Sequence, residues 1–263
     1  MNYGLNISAS GVLTSMYRQD VLANNLANID TPGFKPDSPF ATQRDPARIE
    51  DGLLALPSNQ LLERLGAGTL LAPNRTSQRQ GDLQQTGNPL DVALKGKGFF
   101  VVEAPGQGTG DATERVRLTR DGRFTLNANG RLVTSASGLA VMDSRSRPIA
   151  IDRTAGVVSI NQDGAITQNG VEVARLQVVD VPDSPSLKKV GDNLYQPNAS
   201  QMAAMTAADA EVMGGAIERS AVDPIRAMMG VTSAAGGVSG NARMMQLHDE
   251  LMARAINGFA KVT

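Results

Sequence analysis

The sequence predicts a mainly β fold with terminal α-helices: a central antiparallel β domain, a sandwich or small barrel, on a coiled-coil stem formed by the N- and C-terminal helices. Three observations lead there. Apolar residues alternate in steps of four and three near both ends of the chain, the period of a packed helix. The middle is cut into short apolar runs by Asp-Gly and Asn-Gly pairs, which specify tight turns between strands. The composition, with 27 Gly and 13 Pro but no Trp in 263 residues, favours turn-rich β structure joined to small-residue helices.

In the first segment Leu5, Ala9, Val12, Met16, Ala23 and Leu26 follow the alternation, with Gln19 at the one polar position. Such a narrow seam needs a partner helix. Asn28 is placed to cap the helix in a left-handed conformation, and the helix is expected to stop by Asp30. Thr31-Pro32-Gly33-Phe34 has Pro and Gly where a type II turn needs a preset φ and a positive φ, and it forms the exit turn of an N-terminal unit over 1–35. From 36 to 76 no period is sustained. Pro36, Pro39 and Pro46 interrupt it and leucines scatter, so an extended connector with one short helix over Asn59 to Leu65 is expected.

From 77 to about 200 the pattern is that of strands. Leu90, Val92 and Leu94 alternate with period two, and Gly96-Lys97-Gly98 leads into the apolar run Phe99 to Val102. Turn signals follow at Asp121-Gly122, Asn129-Gly130, Asp163-Gly164 and Asn169-Gly170, each flanked by β-branched or aromatic residues. The Ala- and Met-rich stretch Met202 to Met213 reads as a helical turn or a flexible joint within a linker over 201–222. Asp223-Pro224 then sets an N-cap ahead of proline at the first helical position, opening the C-terminal unit 223–263. Met245, His248, Met252, Ala255, Phe259 and Val262 carry its seam, widened by Leu247 and Leu251. Gly236, Gly237 and Gly240 interrupt this helix at about 1 kcal/mol each, so either it is weak there or something packs close against it.

The chemistry of catalysis is hard to assemble. There is no Cys and a single histidine, His248, on the helix stripe, where a structural role is expected. Asp121 and Asp163 sit in Asp-Gly pairs, where the carboxylate serves the turn, and Gly96-Lys97-Gly98 precedes a strand rather than the helix a phosphate cradle requires. No cofactor and no metal are expected. With 25 Lys plus Arg against 26 Asp plus Glu, no field of one sign points to nucleic acid. No apolar run approaches the roughly 20 residues of a bilayer span, so no membrane insertion is expected, and polar residues in the first ten argue against a cleaved secretory signal. Asn24, Asn25 and Asn28 share helix faces and offer amides for cross-links between neighbouring subunits, or Asn28 simply caps a frayed turn.

These residues carry a resemblance. Ala23-Asn24-Asn25-Leu26-Ala27-Asn28 followed by Thr31, Gly33, Phe34 and Lys35 resembles the N-terminal signature of bacterial flagellar rod and hook proteins. Gly87-Asn88-Pro89-Leu90-Asp91 with Gly96 to Phe100, Thr119 to Phe124, Ser220 to Ile225 and Asp249-Glu250-Leu251 are similar to later segments of that family. The length is closest to the larger rod proteins, proximal or distal. The family usually carries an Ala-, Gln- and aromatic-rich stretch where Gly236, Gly237 and Gly240 stand here. The resemblance implies a non-enzymatic axial subunit of the basal-body rod that assembles through its terminal helices into a rigid helical tube and transmits motor torque. It implies a place in the periplasm-spanning rod, reached by flagellum-specific (type III) export without a cleaved signal. The implied partners are copies of itself, other rod and hook subunits, the export apparatus and the surrounding bushing rings. The expected assembly contacts are Leu5, Val12, Met16, Ala23, Asn24, Asn25, Leu26, Asn28, Met245, Leu247, Leu251, Met252 and Phe259. A hook-type subunit, or a dimeric ligand-binding β module with coiled-coil arms, is the alternative.

Overall fold

A computed structural model describes residues 3–46, 49, 66–104 and 115–259. The helix expected over Asn59 to Leu65, and Val262, lie outside these residues. The chain divides into two compact units: residues 1–27, 37–75 and 223–263 form a helical unit, and residues 28–36 with 76–222 form a β unit. The helices are α1 (Tyr3–Ala27), α2 (Ala199–Ala203) and α3 (Pro224–Phe259). None of the described helices is long and apolar enough to cross a membrane.

In the helical unit α1 and α3 pack on one another and the strand β1 (Asp37–Gln43) lies along α1. Asp223 caps α3 as its position predicts, with Oδ1 accepting from the amides of Ile225 at 3.0 Å and Arg226 at 3.2 Å. Such a cap is worth about 1 kcal/mol. The helix runs unbroken through Gly236, Gly237 and Gly240 for 36 residues, a length of about 54 Å. Asn28 differs from expectation: it is not among the described non-glycine residues with positive φ. Thr31 closes the end of α1 instead, its amide on the Asn28 carbonyl at 3.3 Å and its hydroxyl on the Asn28 side chain at 3.1 Å. The described flanks of the connector are paired strands, β1 with β2 (Thr69–Thr76), continued by an antiparallel bridge between Pro46 and Gly66.

The β unit holds β3 (Leu83–Gln85), β4 (Val92–Lys95), β5 (Phe99–Glu103), β6 (Val116–Thr119), β7 (Phe124–Leu126), β8 (Leu132–Thr134), β9 (Val158–Ile160), β10 (Ala165–Gln168), β11 (Val171–Arg175), β12 (Val178–Asp180), β13 (Lys188–Lys189), β14 (Leu194–Gln196), β15 (Thr206–Ala207), β16 (Glu211–Gly214) and β17 (Ala216–Glu218). The main sheet has the order β13-β14-β6-β5-β12-β15, beside a three-stranded β11-β10-β9 and the pairs β16-β4, β17-β3 and β7-β8. Every one of these pairings is antiparallel. Strand β5 explains its own continuous apolar run: Phe100 and Val102 enter one core with Leu132 and Ile166, while Phe99 and Val101 enter a second with Leu118 and Tyr195. A strand buried on both faces has no need of a polar alternate.

The Asn169-Gly170 hairpin is as expected, with φ of +52° and +82° and Gln168 opposite Val171, the geometry a two-residue loop needs. Asp121-Gly122 is different. Both strands around it pair elsewhere, Asp121 is buried against Arg123 at 2.8 Å, and a Cβ on Gly122 would lie 1.6 Å from the Val92 carbonyl oxygen. This glycine serves close backbone approach, not chain reversal. The expected linker 201–222 is also ordered. A capping box of Asn198 and Gln201 starts α2, and β15, β16 and β17 pair with β12, β4 and β3, burying Val212, Ala216 and Glu218. Pairing with strands far away in sequence overrides the weak local propensity of this stretch.

Candidate assembly interface

The contact between α1 and α3 is made by small residues. A Cβ built on Gly4 would meet the His248 ring at 2.3 Å, on Gly11 the Asn241 side chain at 2.8 Å, on Gly237 the Ser15 hydroxyl at 2.9 Å, and on Gly230 the Leu22 side chain at 3.0 Å. Each step forward along α1 is matched by an equal step back along α3, so the pair is antiparallel and in constant register. Ser8, Ala227 and Ala234 are buried along the same line. The seam of α1 thus runs one residue before the predicted apolar one, through Gly4, Ser8, Gly11, Ser15 and Leu22. The missing Cβ atoms leave notches in which side chains of the other helix seat: the His248 ring at Gly4, the Asn241 amide at Gly11, the Ser15 hydroxyl at Gly237 and Leu22 at Gly230.

The predicted residues fall beside this seam or away from it. Leu5, Val12, Leu26, Asn28 and Met245 are half-buried, and Ala23 and Asn24 are exposed. Met16, Leu247, Leu251 and Met252 are exposed large apolar residues at 49%, 52%, 60% and 49%. Phe259 is the last described residue of α3. Leu13, Ile225, Met228, Met229, Met244 and Ile256 add to the exposed set. Along the paired stretch small residues line much of the contact while Leu13, Met16, Met228, Met229, Met244 and Leu247 stand exposed, and Leu251, Met252 and Ile256 lie where α3 runs past the described start of α1. On α3 the exposed apolar residues fall in two groups, 225–229 and 244–256. Asn25 is committed inside the chain. It is buried, donates to the Asp37 carbonyl at 2.7 Å and accepts from the Asp37 amide at 2.9 Å, holding the start of β1 as a neighbouring strand would.

The exit turn belongs to the β unit. Phe34 donates its amide to the Thr31 carbonyl at 3.2 Å across Pro32 and Gly33, and Gly33 has φ of +69°. A side chain on Gly33 would lie 2.5 Å from the Arg120 backbone. Thr31 is half-buried, and Pro32, Gly33 and Phe34 are buried. Lys35, the last residue of the signature, is fully enclosed; its Nζ donates to Glu218 Oε1 at 2.6 Å and to the Arg79 carbonyl at 2.9 Å. Arg120, also buried, gives Nη1 to Glu218 Oε2 at 3.2 Å and Nη2 to the Gly96 carbonyl at 2.7 Å. Burial pushes the Lys35 ammonium below its ordinary range against the opposing pull of Glu218, and does the same to Arg120. The cluster was invisible in the sequence, since Lys35 and Glu218 are 183 residues apart and neither sits in a recognisable pattern of charge. Among the described residues no group of three or more His, Asp or Glu side chains is placed to hold a metal ion.

Two family models match the chain: that of the flagella basal body rod protein over residues 5–35, and that of the flagellar hook protein FlgE/F/G D1 domain over residues 93–168. The first covers α1 and the exit turn, the second the strands from β4 to β10. Flagellar basal-body rod protein FlgF of Caulobacter vibrioides is 34% identical over 264 residues, covering 100% of both chains. FlgF of Rhizobium meliloti is 32% identical over 87% of this chain and 86% of its own length. Flagellar basal-body rod protein FlgG of Bacillus subtilis is 28% identical over 94% of this chain and 96% of its own.

Proposed function

The chain belongs to the flagellar basal-body rod protein family, and from that premise we propose that it builds the rod through the outward apolar faces of α1 and α3. It is a structural subunit of the rod and not an enzyme. The single observation that supports the mechanism is the exposed apolar set of α3: Met228, Met229 and Leu247 stand 57%, 67% and 52% exposed along the stretch opposite α1, where glycine and alanine line the internal seam, and Leu251 and Ile256 stand 60% and 63% exposed where α3 runs past the described start of α1. Copies of this chain and other rod and hook subunits cover those faces, extending the antiparallel pair into a coiled-coil-like stem that stacks into a stiff, torque-transmitting tube. Leu5, Val12, Met16, Ala23, Asn24, Leu26, Asn28, Met245, Leu247, Leu251, Met252 and Phe259 lie in or beside these contacts. Asn25 acts indirectly, by fixing β1 against α1. Methionine-rich surfaces suit neighbours that are not all alike, because the thioether chain adapts to several packings.

The β unit, with its two cores on either side of β5, forms the outer layer as a sandwich-like body. The reading places the subunit in the flagellar basal body, delivered by the flagellar export apparatus and enclosed by the bushing rings. Electron microscopy of the concentrated protein tests the assembly step. Helical tubes are expected, and discrete particles at all concentrations would overturn it.

A further inference from the structure

Residues 28–36 lie between α1 and β1, both of the helical unit, yet they are part of the β unit. They are held there by every residue from Pro32 to Pro36. Asn193 donates its side-chain amide to the Pro32 carbonyl at 2.7 Å, and Ser77 donates its backbone amide to the Pro36 carbonyl at 2.8 Å. Gly33 donates to the Glu218 carbonyl at 2.7 Å and Ala221 donates to the Phe34 carbonyl at 3.0 Å, so the segment pairs with residues 218–221. Lys189 reaches the Lys35 carbonyl at 2.6 Å and lies 4.4 Å over the Phe34 ring. At the centre stands Glu218, whose carboxylate takes Lys35, Arg120 and the Gly81 amide at 2.6, 3.2 and 2.8 Å.

Two features make this a device rather than an ordinary loop contact. The enclosed cluster holds two cations and one anion, and Arg120 Nε is buried without a partner among the described atoms. Burying such a cluster is expensive, with Glu218 enclosed beside the two cations and the half-buried Asp180 acting on Arg120 as a further negative charge. The segment is also fed by chain on both sides from the helical unit, so it continues no strand of the β unit.

We propose that residues 28–36 form a clasp that opens and closes on the β unit as one body, with Glu218 as its catch and Lys35 as the inserted peg. When the clasp is closed the chain passes between the two units at four points, after residues 27, 36, 75 and 222; when it is open only the last two remain. Ordering of the 218–221 stretch, which leads directly to the cap of α3, is coupled to closure through the Gly33 and Ala221 amides. The clasp is a property of the single chain and does not depend on assembly.

Hydrogen exchange of the full chain, followed by mass spectrometry under non-assembling conditions, tests this. Lys35→Met removes the peg, and Asn193→Gly removes a remote hold while tolerating the positive φ of +58° at that residue. Both variants are expected to speed exchange of peptides spanning 28–36 and 216–222 together, Lys35→Met by roughly tenfold to a hundredfold, the worth of one charged hydrogen bond, and Asn193→Gly by roughly twofold to tenfold, the worth of a neutral one. A peptide spanning β5 is expected to stay unchanged. Acceleration confined to 28–36, no acceleration in either peptide, or equal acceleration of β5 would each overturn the clasp.

Discussion

Alanine in place of Gly236 or Gly240 is expected to stabilise the helical unit, whereas alanine in place of Gly11 is expected to destabilise it. Gly236 and Gly240 have open space where a Cβ would stand. Each replacement there recovers the backbone entropy that glycine loses in a helix, about 1 kcal/mol, so the double variant gains about 2 kcal/mol, roughly a 30-fold shift in the folded-to-unfolded ratio. At Gly11 the new methyl would lie 2.8 to 2.9 Å from three atoms of the Asn241 side chain, which is itself tied to the Gly237 carbonyl at 2.9 Å. Moving Asn241 breaks that bond and opens the crossing, an overpacking cost of about 1–3 kcal/mol against the same 1 kcal/mol gain. Urea unfolding followed by far-ultraviolet circular dichroism reads the difference directly. If Gly11→Ala stabilised as much as Gly240→Ala, the close small-residue seam would be wrong.

Three further outcomes follow from the same structure. Glu218→Gln leaves Lys35 and Arg120 enclosed without a counter-charge and should cost the β unit about 3–5 kcal/mol, against about 2 kcal/mol for Lys35→Met, which still leaves Glu218 paired with Arg120; denaturant midpoints rank the two. Because burial lowers the folded-state Lys35 value below its ordinary 10.5, the folded chain binds fewer protons there than the unfolded one, so stability rises with pH from the folded value up to that of the unfolded chain. The gap between the wild type and Lys35→Met should therefore widen as pH is raised towards about 10, and a gap that narrowed would contradict the sign. Leu118→Ala, at a site with 0% exposure between β5 and β14, should cost about 2–5 kcal/mol by thermal unfolding.

The strands and most turns could be read from the sequence because their chemistry is local. A pair such as Asn169-Gly170 carries its own positive-φ preference, and the run Phe99 to Val102 announces a strand buried on both faces. The same local reading failed at Asp121-Gly122, where the glycine answers to Val92 from a different strand. The helix seam was displaced by one residue for a related reason. Periodicity weighs large apolar side chains, and here Leu5 and Val12 stand half-buried beside the contact and Met16 exposed, while Gly4, Ser8, Gly11 and Ser15, which hydropathy passes over, mark the contact. Lys35 and Glu218 lay beyond any window, since only the folded backbone brings the signature lysine to a glutamate 183 residues away.

The central claim, that the outward apolar faces of α1 and α3 are the surfaces between subunits, is tested most directly by thiol protection. The chain has no cysteine, so Leu251→Cys supplies a single reporter at a site 60% exposed. It should react freely with a maleimide in the monomer and become protected when the protein assembles into tubes. Undiminished labelling at that position in tubes would contradict the account.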